Sequence, residues 1–233
     1  MSNSNMNLTH FRLRKLIGAT GMLLPFIVWI GKWELLPSIS DYYYTYMGVA
    51  FITILMWCSA FLMAYRGYEE SNWLTDNGIT TAGGILLMFT VIFPTPFEEG
   101  GPCNTPVCFE GQDWAGYLHF GSASIFFILM GLLAFYNFTL PKLDSGKKHS
   151  PNKAKRNKIY RFCARGIWIT LGLTLVGYVI RESDYEFNKY FTYVVFVGEL
   201  VVLQFFGFAW LVKGKALYDI GFQKEDDPDR SEE

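Results

Sequence analysis

The stretch KLDSGKKHSPNKAKRNKIYR, residues 142–161, packs eight Lys and Arg between two apolar runs, a pattern that orients everything around it. Working outward, apolar runs lie at 114–140 and 160–180 on either side, at 77–97, 42–65 and 16–36 before them, and at 190–212 after. Each is near the roughly 20 residues that cross ~30 Å of hydrocarbon. Seventeen of the 20 Lys and Arg fall on the same side of this ladder as residues 142–161; Lys32, Arg181 and Lys189 are the exceptions. Short basic loops stay in the cytoplasm, so the pattern predicts an all-α integral membrane bundle of six transmembrane helices, N and C termini cytoplasmic.

That ladder divides the chain into a cytoplasmic segment 1–15, a transmembrane domain 16–212 and a polar tail 213–233 expected to be disordered. Within the domain, an acidic outer loop at 98–113 faces a basic inner loop at 141–159. Hydrophobic residues make up 51% and aromatic residues 18% of the 233, too apolar for a soluble domain. The net charge of −1 says little about partners, because the charges are segregated by side. Nothing here points to nucleic acid. The basic loop reads as a topological anchor touching anionic lipid at about 1 kcal/mol per base, with a protein docking site as the alternative. The first run follows Arg12, Arg14 and Lys15 as a signal peptide would, but no small-x-small cleavage motif follows, and a retained helix is expected. Pro25, in its middle, frees a carbonyl and is expected to kink it.

Four cysteines divide into two kinds. Cys58 and Cys163 lie in apolar runs and read as small core residues. Cys103 and Cys108 share the outer loop, where an oxidising compartment favours a disulfide; a metal site would need further ligands, and no His lies between Pro96 and Trp114. The chain has three histidines, His10, His119 and His149, and two fall on the cytoplasmic side, which excludes a three-His metal site. No metal and no other cofactor is expected. The acids Glu98, Glu99, Glu110 and Asp113 make the outer loop either a solvated lid, the favoured reading, or a cation attractor.

Ionisable groups at membrane depth are costly, ~2.5–3.5 kcal/mol at a helix centre, and so carry functional signal. Glu199 falls about 13 Å into the sixth run and His119 about 8 Å into the fourth, counted from the same side at 1.5 Å per residue. The stretch ELLPSISDYYYT, residues 34–45, places Tyr42, Tyr43 and Tyr44 beside Ser38, Ser40 and Asp41 at that boundary. These tyrosines read either as an aromatic belt or as part of a site. The candidate ligand-binding set is therefore Glu199, His119, Tyr42, Tyr43, Tyr44, Glu34 and Asp41, around an outward-facing polar cavity. Glu199 and His119 also read as simple interhelical polar contacts, with Gln204 as further glue. Gly78, Ala82 and Gly83 suggest a close helix contact.

The SISDYYYT run, Arg66-Gly67-Tyr68, Phe93-Pro94-Thr95, Leu118-His119-Phe120 and Trp210 to Gly214 resemble a family of uncharacterised bacterial multi-pass inner-membrane proteins with an SISxYYYT signature. The resemblance covers about residues 14–215, implies a bacterial inner membrane and carries no established activity. The loop at 98–113 looks like an insertion relative to that pattern. Three classes stay open: a bundle that binds or transports a small molecule or lipid; a structural or assembly partner; and a metal-free intramembrane hydrolase, for which Ser122, one turn after His119, is the nearest hydroxyl in sequence.

Overall fold

The structure, a computed structural model, describes residues 3–66, 75–96, 108, 113–140, 151–183 and 191–216, without the side chains of 3–10, 151, 152 and 182. Among the described residues six long helices carry the chain: α1 (Asn3–Lys32), α2 (Gly48–Ala64), α3 (Asp76–Ile92), α4 (Asp113–Phe135), α5 (Pro151–Ser183) and α6 (Val194–Lys213). Two short 3-10 turns, Ser40–Tyr44 and Asn137–Thr139, complete them, and no strand occurs among the described residues. Each helix packs on its neighbours in sequence and α6 closes against α1, giving a ring of six in chain order. One end of the ring gathers the loop after α1, the end of α3 and the starts of α4 and α6; we call it the tyrosine end. The other gathers the start of α1 and the end of α6, with Arg14 and Lys213, and is the basic end.

The ring has no open bore. Phe126 on α4 meets Phe206 on α6 across it, centroids 5.7 Å apart, and Trp210 packs edge-on to Phe61, Tyr65 and Phe138. On the outside, α5 exposes Leu173, Phe162 and Ile169 at 67%, 64% and 61%. Apolar side chains on both the inside and the outside are what a bilayer permits and water penalises. Four helical stretches are long and apolar enough to cross a membrane: Phe11–Lys32, Asp113–Thr139, Lys153–Arg181 and Val194–Lys213. The chain is thus built as a membrane-embedded protein. The apolar helices α2 and α3 are shorter, at 17 residues each.

Close approach between α1 and α6 depends on two glycines. A Cβ on Gly18 would lie 2.6 Å from the Gly207 carbonyl, and one on Gly207 would lie 2.5 Å from that of Gly18. Gln204 Nε2 then donates to the Met22 carbonyl at 3.0 Å, as expected of interhelical glue. On α3 the close contacts are made by Gly83, facing Met130, and Gly84, facing Ser59 and Met63. Gly78 faces only its own capping residue Thr75, and Ala82 is exposed, so the small-residue stripe sits one position further along than the sequence suggested.

Helix boundaries differ from the apolar runs in several places, α1 starting at Asn3 and α6 at Val194, and three of the differences are instructive. The second helix begins at Gly48, not at residue 42, because local side chains compete for the backbone. Asp41 Oδ2 accepts from Ser38 N, Ser38 Oγ from Ser40 N, and Thr45 Oγ1 donates to the Tyr42 carbonyl while accepting from Met47 N. The third helix stops at Ile92 rather than 97, ahead of Pro94 and Pro96, which cannot donate to a further turn. The fifth starts at Pro151, a residue suited to the first helical position, well before its apolar run. α1 continues through Pro25. After α6, Gly214 and Lys215 turn back on Trp210 and Val212.

Candidate functional site

The loop 33–47 does not lie on the surface of the tyrosine end; it plugs it. Ser38, Ile39, Ser40, Tyr42 and Tyr43 are all buried. Irregular backbone at membrane depth is tolerated only where its polar groups find partners inside the protein. Here they do. The Pro37 carbonyl accepts from Phe196 N at 2.9 Å, covering one of the open N–H groups at the start of α6.

Glu199, on the second turn of α6, reaches back to this plug. Its Oε2 accepts from Ser38 Oγ at 2.9 Å and from Ile39 N at 2.6 Å. His119, on α4, is 2% exposed. Its Nδ1 lies 2.8 Å from the Thr90 carbonyl and 2.9 Å from that of Phe93, and its Nε2 lies 2.9 Å from Ser40 Oγ. Two carbonyls can only accept, so Nδ1 carries the proton. Nε2 pairs with the Ser40 hydroxyl, which can donate to it or accept from it. The histidine thereby ties the end of α3, the plug and α4 together.

Glu199 and His119 do belong to one network, but through Ser38 and Ser40 rather than face to face. One link is the bond from Ser40 N to Ser38 Oγ at 3.0 Å. The Ser40 side chain also hydrogen-bonds Glu199, so one hydroxyl stands between the carboxyl and the imidazole. Ser40, not Ser122, supplies the hydroxyl at His119 Nε2. Spacing along one helix favoured Ser122, and only the folding back of the plug could reveal Ser40.

A cavity of about 440 Å³ opens beside the network. Ser38, Asp41, Tyr44, Thr45 and Thr95 form its polar lining, Lys32, Glu34 and Arg181 add charge, and Tyr46, Phe120 and Tyr178 add rings. Asp41 is held by Ser38 N and lies 3.5 Å from Thr95 Oγ1. The Tyr44 hydroxyl donates to the Thr95 carbonyl. Lys32 pairs with Glu34 at 3.3 Å. Of the candidate residues, Glu34, Asp41 and Tyr44 line the cavity, while Glu199 and His119 stand behind its wall. Tyr42 and Tyr43 do not line it: the Tyr42 hydroxyl donates to the Glu34 carbonyl at 2.6 Å, and the Tyr43 ring packs edge-on to Tyr44 and Phe51.

Cys108 is disulfide-bonded, whereas Cys58 and Cys163 are free and buried. Cys103 lies outside the described residues, as does most of the loop 98–113. Among the described residues no group of three or more His, Cys, Asp or Glu could hold a metal. No family model, no curated protein and no solved structure matches this chain.

Proposed function

We propose that this chain is a six-span inner-membrane protein, of bacterial type as the SISxYYYT resemblance implies, that binds a small molecule or lipid head group in the cavity at its tyrosine end. On this reading both termini are cytoplasmic and the cavity faces outward. The observation that carries it is the cavity itself, whose volume falls in the range of small-molecule sites. It combines both signs of charge, hydroxyls and aromatic rings, and its wall is fixed by Glu199 and His119 from outside. That division suits a binding site, in which rigid supports hold the contacting groups. Native mass spectrometry of the gently solubilised protein tests it: wild type retains a small-molecule or lipid adduct, and Val195→Trp, which fills the cavity from α6, loses it. An adduct retained equally by both would remove the cavity from consideration. Alkaline phosphatase fused near residue 105 is expected to be active and near residue 150 inactive; the reverse would refute the orientation.

A second reading rests on Ser40, whose Oγ sits 2.9 Å from His119 Nε2 in the arrangement of a nucleophile and its base. A metal-free hydrolase of this kind would be labelled at Ser40 by a fluorophosphonate, and His119→Ala would abolish the labelling. The structural-partner class draws support from the same hydrogen bonds and predicts neither adduct nor label.

A further inference from the structure

Arg14 sits in the first turns of the apolar part of α1, at the basic end, and is only 6% exposed. Its guanidinium lies over two rings, 5.5 Å from the centroid of Phe11 and 5.3 Å from that of Tyr65. Tyr65 is itself backed edge-on by Trp210 at 5.3 Å. Nε is sealed from solvent with no hydrogen-bond partner. Among the described residues no carboxylate comes within ion-pair distance of Arg14; the ion pair they form is Lys32–Glu34, at the opposite end. Asp76, the buried carboxylate of the basic end, does not pair with it either. Ring faces offset part of the loss of hydration, but they satisfy none of the five N–H donors of the fork.

More positive charge is brought to the same place. Lys215 Nζ lies 4.5 Å from the Phe11 centroid, so it and the Arg14 guanidinium share one ring and stand within about 10 Å of each other. The turn that puts it there has Lys215 at φ 58°, a left-handed conformation rare for a lysine. Gly214 in that turn is pressed onto α1: a Cβ there would lie 2.9 Å from Lys15 Cγ and 3.2 Å from Arg14 Cβ. A strained turn thus places a second cation beside the buried guanidinium. A guanidinium buried with no carboxylate partner among the described residues is unfavourable alone and favourable once an anion joins it.

We propose that the basic end holds an anion site centred on Arg14, with Lys215 beside it, that takes a phosphate group, from an anionic lipid head group or from a soluble phosphate. The guanidinium fork matches a phosphate with two parallel N–H···O bonds, and its depth at the head of α1 suits a head group at the membrane boundary. This inference does not depend on the cavity at the other end.

The test uses the full-length protein in nanodiscs of phosphatidylcholine containing phosphatidylglycerol, followed by native mass spectrometry and thermal melting. Wild type is expected to retain phosphatidylglycerol over phosphatidylcholine by about tenfold, and Arg14→Gln to lose that preference, while Lys155→Gln, at an exposed base of α5, keeps it. Arg14→Lys keeps a charge over the rings and loses the fork, so it should melt like wild type and retain the lipid several-fold less well. It decides the matter if Arg14→Gln fails to fold. Asp76→Asn should leave retention equal or stronger. Protection by inorganic phosphate in pure phosphatidylcholine, lost in Arg14→Lys, would identify a soluble phosphate as the natural source. Undiminished phosphatidylglycerol preference in Arg14→Lys, or a melting temperature that responds to neither lipid nor phosphate in wild type, would overturn the site.

Discussion

The two ends of the bundle treat buried polar groups in opposite ways. At the tyrosine end Glu199, Ser38, Ser40 and His119 find their partners within the chain, from four separate segments. At the basic end Arg14 is buried with ring faces against its guanidinium and with Nε lacking a hydrogen-bond partner. The difference teaches how to separate scaffold from receptor. A polar group satisfied internally holds the fold in place, while one left unsatisfied is completed from outside.

Glu199 is where the contrast between the ends is most exposed to test. Replacement by Leu strands the Ser38 hydroxyl and the Ile39 N–H, each costing about 1–3 kcal/mol when buried without a partner. Glu199→Leu should therefore lower unfolding free energy by roughly 2–4 kcal/mol, and Glu199→Gln, which keeps an acceptor oxygen, by about 1 kcal/mol or less. Equilibrium unfolding in mixed micelles would check both, and equal losses would mean that the carboxylate acts through its charge. His119→Ala comes next: it frees two helix-end carbonyls, which water or the neutral Ser40 can partly serve, and should cost about 2 kcal/mol in the same assay. Between the two ends, Gly207→Ala drives a methyl toward the Gly18 carbonyl and Met22, and a loss of about 1–3 kcal/mol is expected with no change in lipid or ligand retention. The smallest effect belongs to Arg14. In detergent free of anionic lipid, Arg14→Met should shift stability by no more than about 1 kcal/mol, because the ring contacts it forfeits are offset by removing a buried charge. A loss as large as that of Glu199→Leu would erase the contrast between the ends.

The helices themselves were legible because a bilayer imposes long apolar runs, and the charged ladder follows directly from them. Glu199 and His119 were also legible, since carboxylate and imidazole are conspicuous among apolar neighbours. Their manner of connection was not. A reading by helical periodicity carries Tyr42 to Tyr44 into the second helix and pairs His119 with Ser122. It cannot show that Ser38, Asp41 and Thr45 divert the backbone into a plug, because those bonds compete with the helix over only a few residues. Arg14 looked like one more topological base. Its burial arises from Phe11, Tyr65 and the turn at Lys215, residues from three segments that no single run brings together.

Replacing the start of the second helix by the plug leaves α2 with 17 residues, and its ring neighbour α3 has the same length. At 1.5 Å per residue each is about 25 Å long, several ångströms short of a typical hydrocarbon core. On the six-span reading the bundle is therefore lopsided, with a short apolar flank beside taller ones such as α4 at 23 residues and α5 at 33. Lipids against α2 and α3 must shorten to keep the ends of these helices wetted, at fractions of a kcal/mol per ångström of mismatch. On that reading, a membrane containing this protein thins on one side of it. That gives the molecule a preferred neighbour: another protein with an equally short face, since placing two thinned patches together removes strained lipid without requiring any specific contact.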